Sequence, residues 1–140
     1  MTREEIYREI EDTMGMVPTL FKYVPDQYLE QEWNSWKNSM TAEKAIPNKW
    51  QALIGLGMQA AVSDKYGIFW CAQAARMSGA TEEEIREVAY MARMDMGWGP
   101  YVRANQMDFE EFKREVTQIM EHMKSQGKFE AERIREKVSM

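Results

Sequence analysis

Asp64 and Cys71 are the residues of this sequence whose types and spacing could do chemistry together. With Gly67 they follow one another at intervals of three and four residues, so all three share one face of a helix. A carboxylate partly removed from water has a raised pKa and becomes a better general base, which makes Asp64 a candidate catalytic base. A cysteine attacks only as its thiolate, so Cys71 is either a candidate nucleophile or a residue that lines a pocket.

Each of these residues also has a purely structural interpretation. Asp64 follows Ser63 and can cap the start of a helix, where the amide dipoles would lower its pKa instead of raising it. Cys71 has no basic residue visibly paired with it, which favours an inert buried thiol. His122, the single histidine, lies in a charged helical stretch, and we expect it at the surface.

The composition excludes several classes of function. One cysteine and one histidine in 140 residues leave no CxxC pair, no multi-cysteine zinc site and no Ser-His-Asp machinery, so we expect no metal and no cofactor. A net charge of −5 argues against a nucleic-acid partner. No apolar run approaches the roughly 18 to 20 residues of a bilayer span, so we expect no membrane partner. The acidic N-terminus is unlike a targeting peptide, and the expected location is the cytoplasm.

Hydrophobic spacing of three and four residues predicts helices through the first half of the chain. Thr2 and Glu5 form a capping box that begins an amphipathic helix, which Gly15 ends. Asp26 is expected to cap a longer helix, and Pro47 suits the first turn of the next one. The longer helix has one apolar face, formed by Leu29, Trp33, Trp36 and Met40.

The second half of the chain is also predicted to be helical. The helix after Pro47 is apolar on most sides, so we expect it to be central and buried. Ser63 and Asp64 could cap the next helix, which runs to about Ser78 with Gly79 as its stop. A second capping box, Thr81 with Glu84, begins a helix that ends near Met96, before Gly97, Gly99 and Pro100. Asp108 caps a long amphipathic helix, and residues 128–140 are expected to form a loose final helix. Without any alternating strand pattern, the prediction is a single all-α domain over residues 1–140.

The central sequence carries a family resemblance. The stretch CAQAARMSGATEEEIREVAYMAR is similar to the core of the carboxymuconolactone decarboxylase and alkylhydroperoxidase D (AhpD-like) superfamily, a helix, a GAT-EEEI turn and a second helix. Flanking stretches resemble the N-terminal arm, the first core helix and the closing helix pair, so the resemblance covers roughly residues 1–125. It implies an all-helical protomer that assembles into a symmetric oligomer, often a trimer or hexamer.

The resemblance also places the positions that carry chemistry in the family. Redox members use a Glu, a CxxC pair and a His, which correspond here to Ala52, to Asp64 and Gly67, and to Cys71. All four positions differ, so a dithiol peroxidase is excluded. The decarboxylase branch has a carboxylate and a histidine where this chain has Gly67 and Cys71, so that activity does not carry over either.

The replacements at the family's active-site positions are small. We therefore expect volume to open around Ala52, Gly67 and Cys71, with Trp50 and Trp70 lining an apolar pocket for a small planar ligand. Natural divergence and laboratory redesign would both give this pattern.

Three functions remain open from the sequence. The first is a non-redox enzyme of the lyase or isomerase type, in which Asp64 abstracts a proton from a small substrate. The second is a catalytically silent relative that binds a ligand or only assembles. The third is one-cysteine peroxide chemistry at Cys71. In each case we expect a homo-oligomer, because five Trp and 13 Met exceed what one small core readily hides.

Overall fold

The structure, a computed structural model, describes residues 1–127, and every regular element in that range is an α-helix. The all-α prediction is therefore confirmed, while the predicted final helix lies outside the described residues. The chain divides into two compact units, Met1–Ala89 and the residues from Tyr90 onward. The helices are α1 (Arg3–Met14), α2 (Thr19–Lys22), α3 (Asp26–Thr41), α4 (Asn48–Ala61), α5 (Lys65–Met77), α6 (Glu82–Ala104) and α7 (Phe109–Ser125). None of these helices is long and apolar enough to cross a bilayer.

Helices α1, α2 and α3 enclose the most completely buried part of the first unit. Its core residues are 0–2% exposed, and those of α1 and α3 follow at the predicted spacing of four. Phe21, from the short α2, meets Trp33 edge to face at 6.0 Å and Trp36 at 5.6 Å between ring centroids. The core cluster is Ile6, Ile10, Phe21, Leu29 and Trp33.

Polar contacts fix how α1 begins and how it meets α3. The predicted capping box is present, with Thr2 N donating to the Glu5 carboxylate at 2.7 Å and Glu5 N to the Thr2 hydroxyl at 3.2 Å. Gly15 ends the helix with φ +80°, a left-handed conformation that glycine adopts without strain. The predicted cap at Asp26 is wrong: Pro25 is the cap residue, and the Asp26 carboxylate instead pairs with Arg3.

Helices α4 and α5 form an antiparallel hairpin joined by three residues. Gly55 on α4 faces Cys71 on α5, and Gln59 faces Gly67, so the pairing runs in opposite directions along the two helices. The prediction that α4 is buried on most sides is wrong for this chain, because only Leu53 and Leu56 are buried along it. α5 covers one side of α4, and the start of α6 covers a second through Val88 at Gly57. Along the third side, Trp50, Ile54 and Met58 are 41–64% exposed.

The remaining helices begin as expected, but one ends later. The second capping box is present, with Thr81 N donating to the Glu84 carboxylate at 2.9 Å, and Asp108 caps α7 by accepting Glu111 N at 2.8 Å. The predicted end of α6 near Met96 is wrong, because the helix continues to Ala104 with Pro100 inside it. Proline removes one helical hydrogen bond, and on this exposed stretch water can serve the carbonyl that loses its partner.

Candidate functional site

Asp64 lies at the start of α5 as its N-cap residue. Its backbone is extended, and its Oδ1 accepts a hydrogen bond from Tyr66 N at 3.1 Å. Ser63 before it adopts φ +56°, which separates the end of α4 from the new helix. The Asp64 side chain is exposed to water. The structure thus has the capping arrangement that the sequence left open, and proton abstraction by Asp64 stays a prediction.

Gly67 does not open a cavity, because the side chain of Gln59 occupies the space beside it. A Cβ on residue 67 would lie 2.4 Å from Cδ and Oε1 of Gln59, closer than real Cβ atoms approach any neighbour. The prediction of open volume at Gly67 is therefore wrong. The small residue admits a longer side chain from the facing helix, and the two helices close over the position.

Cys71 packs into the contact between α4 and α5. A Cβ on Gly55 would lie 3.0 Å from the Cys71 Sγ, so the thiol fits against bare backbone. The side chain is half-buried, and burial raises the pKa of the Cys71 thiol. A raised pKa lowers the thiolate fraction at neutral pH, the opposite of what activates a catalytic cysteine.

The expected pocket-lining residues do not converge on one space. Ala52 and Trp50 are two positions apart on α4, roughly 200° around the helix, so they point to nearly opposite sides. Trp50 is exposed, with Lys49 Nζ 4.7 Å from the ring centroid. Trp70 is half-exposed and meets Trp36 of α3 edge to face at 5.0 Å. The structure brings together Gly67 and Cys71 at the helix contact and leaves both tryptophans outside it.

Two rows of exposed apolar side chains stand out on the hairpin, and the sequence interpretation did not identify them as a surface. The α4 row is spaced by four residues and is 41–72% exposed; in α5 the exposures range from 50% to 90%. We call the two rows together the apolar face: Trp50, Ile54 and Met58 from α4 with Val62 at its C-cap, and Tyr66, Trp70 and Met77 from α5. The four-residue spacing was visible in the sequence, but an apolar stripe alone does not tell a buried face from an uncovered one.

Both rows lie on the same side of the hairpin. The contact rows are marked by Gly55 and Gln59 on α4 and by Gly67 and Cys71 on α5. At about 100° per residue, each exposed row lies roughly 110° around its helix from the contact row, in the same rotational sense. Because the two helices are antiparallel, an equal rotation in the same sense on each helix places both exposed rows on the same side of the hairpin. Neither row contains a charged residue, and Gln73 fills the α5 position between Trp70 and Met77.

Two cations of the hairpin pair with the start of α6. Lys49 Nζ lies 2.8 Å from the Glu84 carboxylate, and Arg76 Nε lies 2.6 Å from that of Glu82. The hydrogen bond from Lys49 is the largest cause of a lowered pKa at Glu84. Within residues 1–127, no group of three or more His, Cys, Asp or Glu side chains could hold a metal ion.

Comparison with known proteins identifies the fold. A scan of protein-family models and a search of curated proteins give no match. Among solved structures, the chain is similar to the alkylhydroperoxidase AhpD core from Rhodospirillum rubrum, with a TM-score of 0.65 and 23% identity over 77% of this chain and 82% of that one. The fold is AhpD-like. The fold expected from the GAT-EEEI stretch is thus confirmed.

Proposed function

We propose that this AhpD-like chain is a self-assembling scaffold without catalysis at the family's active-site positions. The observation that carries the proposal is that those positions serve the helix hairpin. Asp64 caps α5, Gln59 covers Gly67, and Cys71 packs against Gly55. These structural roles account for the residues at the positions without any role in binding a substrate.

Assembly is supported by what the chain leaves uncovered. Large apolar side chains of both units are at least 40% exposed, among them Phe69, Tyr90 and Phe109. Soluble single chains rarely expose apolar patches of more than a few hundred square ångströms, and larger ones mark contact surfaces. Copies of this chain that cover one another would remove these side chains from water.

The proton-abstraction hypothesis remains the alternative, because Asp64 is exposed and a substrate could reach it. The two proposals differ in what they expect of Asp64→Asn. Asparagine caps a helix about as well as aspartate but cannot accept a proton as a base, so this variant separates the two roles. Asp108→Asn, at the cap of α7, is the matched control because the family resemblance assigns no chemistry to residue 108.

The experiment measures proton abstraction from a panel of activated C–H compounds by the parent chain and both variants. We expect no rate above that of an equal concentration of free carboxylate. A rate above that level which Asp64→Asn abolishes and Asp108→Asn preserves would overturn the silent-scaffold proposal and establish the base.

The same samples test peroxide chemistry at Cys71. We expect the thiol to react slowly with peroxide and with a disulfide reagent until denaturant is added, because burial disfavours the thiolate. Rapid loss of one titratable thiol from the folded chain would support a one-cysteine peroxidase instead.

A further inference from the structure

We propose that the apolar face of the α4–α5 hairpin is the surface on which a second copy of this chain docks, with the two copies related by a two-fold axis. This inference rests on the proposed self-assembly and names the surface that carries it. It concerns α4 and α5 of the first unit alone.

The first support is the area of the face. A fully covered aromatic side chain removes roughly 150–250 Å² from water. Tyr66 is 77% exposed, Trp70 50% and Trp50 41%, and the four aliphatic or methionine side chains of the face are 51–90% exposed. Together they offer roughly 700–900 Å² of apolar surface. This is comparable to the ~800 Å² that each partner contributes to a stable interface.

The second support is that the face complements itself. A two-fold interface brings the same surface of each copy together, so any charge on it would meet a like charge. Neither row contains a charged residue, although Lys49 and Lys65 border the face, 4.7 and 5.3 Å from the ring centroids of Trp50 and Tyr66. Of these two cations, Lys49 is paired with Glu84. A nucleic acid would require basic residues within the face, and neither row contains one.

The third support is the spacing of the α4 row. Trp50, Ile54, Met58 and Val62 form one ridge with a four-residue repeat. Ridges of this repeat interlock with one another when two helices cross at about −50°, the commonest packing between helices in globular proteins. Such a crossing would set the α4 ridge of one copy beside the α4 ridge of the other.

A charge-exchange experiment tests the inference. One variant carries Ile54→Glu with Met58→Glu, and the other carries Ile54→Lys with Met58→Lys. If the face meets itself, each variant alone places like charges together and should dissociate at least about 100-fold more easily than the parent. Mixing the two should restore a paired species, measured by light scattering. Leu20→Glu with Tyr23→Glu alters two exposed apolar residues, one in α2 and one at its C-cap, and should leave the parent mass unchanged.

The outcomes separate this inference from the proposed function. An oligomeric parent whose mass survives the Glu variant overturns the docking face and leaves self-assembly standing. Two dissociated variants that fail to pair on mixing show that the face meets a different surface, which also overturns two-fold docking. A monomeric parent overturns both, and if it then binds lipid vesicles only with the face intact, the face belongs to a membrane. Circular dichroism of each variant, matched to the parent, shows that its helices remain folded.

Discussion

The α1–α3 region and the α4–α5 hairpin use similar residues to opposite effect. In the first, Trp33 and Phe21 are 0–1% exposed, and three helices close around them. In the second, Trp70 and Tyr66 are at least half exposed, although the two hairpin helices are richer in apolar residues than α1 and α3. The first region buries its aromatic residues among its own three helices, whereas the second keeps the apolar face exposed in the described part of the chain. The proposed docking of a second copy on the hairpin would account for this difference.

The largest expected effect contrasts Trp33→Ala with Trp70→Ala. Trp33 is fully buried, so its truncation should lower the free energy of unfolding by about 3–5 kcal/mol. Trp70→Ala should cost the single chain much less and instead weaken assembly. Urea denaturation at low protein concentration measures the first effect, and light scattering measures the second. Equal stability losses in the two variants would contradict the contrast between the regions.

The next effect concerns the fit between Gly67 and Gln59. Glycine to alanine in a helix normally stabilises by about 0.5–1 kcal/mol. Gly97→Ala, with nothing within 4 Å of the added Cβ, should show this gain in urea denaturation. Gly67→Ala should gain less or destabilise, because its Cβ meets Gln59, and should recover when combined with Gln59→Ala. Identical effects of Gly67→Ala with and without Gln59 would show that the two residues do not pack together.

A smaller effect is expected from the cap of α5. Asp64→Ala removes the acceptor for Tyr66 N and should lower stability by about 1 kcal/mol. Asp64→Asn should change stability by no more than a few tenths of that value, since asparagine caps equally well. Thermal unfolding of both variants measures the pair. An alanine variant as stable as the parent would mean that the cap contributes nothing, and that Asp64 needs another explanation.

The smallest effect is a dependence of stability on pH at the α1–α3 contact. Glu9 accepts hydrogen bonds from Trp33 Nε1 at 2.9 Å and from Lys37 at 3.3 Å, and these, in that order, lower the pKa of Glu9 from its ordinary value of 4.5. Because the folded pKa is depressed, this stabilisation is present above the unfolded pKa and is lost as the pH falls through the folded one.

Glu9→Gln therefore tests the acidic limb of the stability curve. The variant should lose less stability than the parent between about pH 5 and pH 3, as measured by urea midpoints across that range. Glu4→Gln on the exposed side of the same helix is the control and should follow the parent. A parent and Glu9→Gln with parallel curves would show that the Glu9 contacts add no pH dependence.

Local rules predicted most helix boundaries from the sequence. The capping boxes at Thr2 and Thr81, the cap at Asp108 and the stop at Gly15 depend on residues within a few positions of one another, so the sequence contains all that they need. The predicted cap at Asp26 is wrong because the Asp26 carboxylate pairs with Arg3, which is 23 residues away in the sequence. Pro100 failed as a helix end because a helix can continue through a proline when water serves the freed carbonyl.

The candidate site was less predictable for a physical reason. Whether Gly67 opens a cavity depends on the side chain that faces it from the other helix, and nothing in the spacing of α5 identifies Gln59. For the apolar face, the pattern was visible in the sequence but its exposure was not. Its four-residue repeat was plain in the sequence, but the repeat predicts a buried stripe without indicating whether the same chain or a second copy buries it.

The most direct test of the account is the molecular mass of the parent chain and of the Ile54→Glu, Met58→Glu variant, measured side by side by light scattering at micromolar concentration. We expect a multiple of 16.5 kDa for the parent and 16.5 kDa for the variant. A parent of 16.5 kDa, or a variant that keeps the parent's larger mass, would contradict the claim that a second copy covers the α4–α5 hairpin.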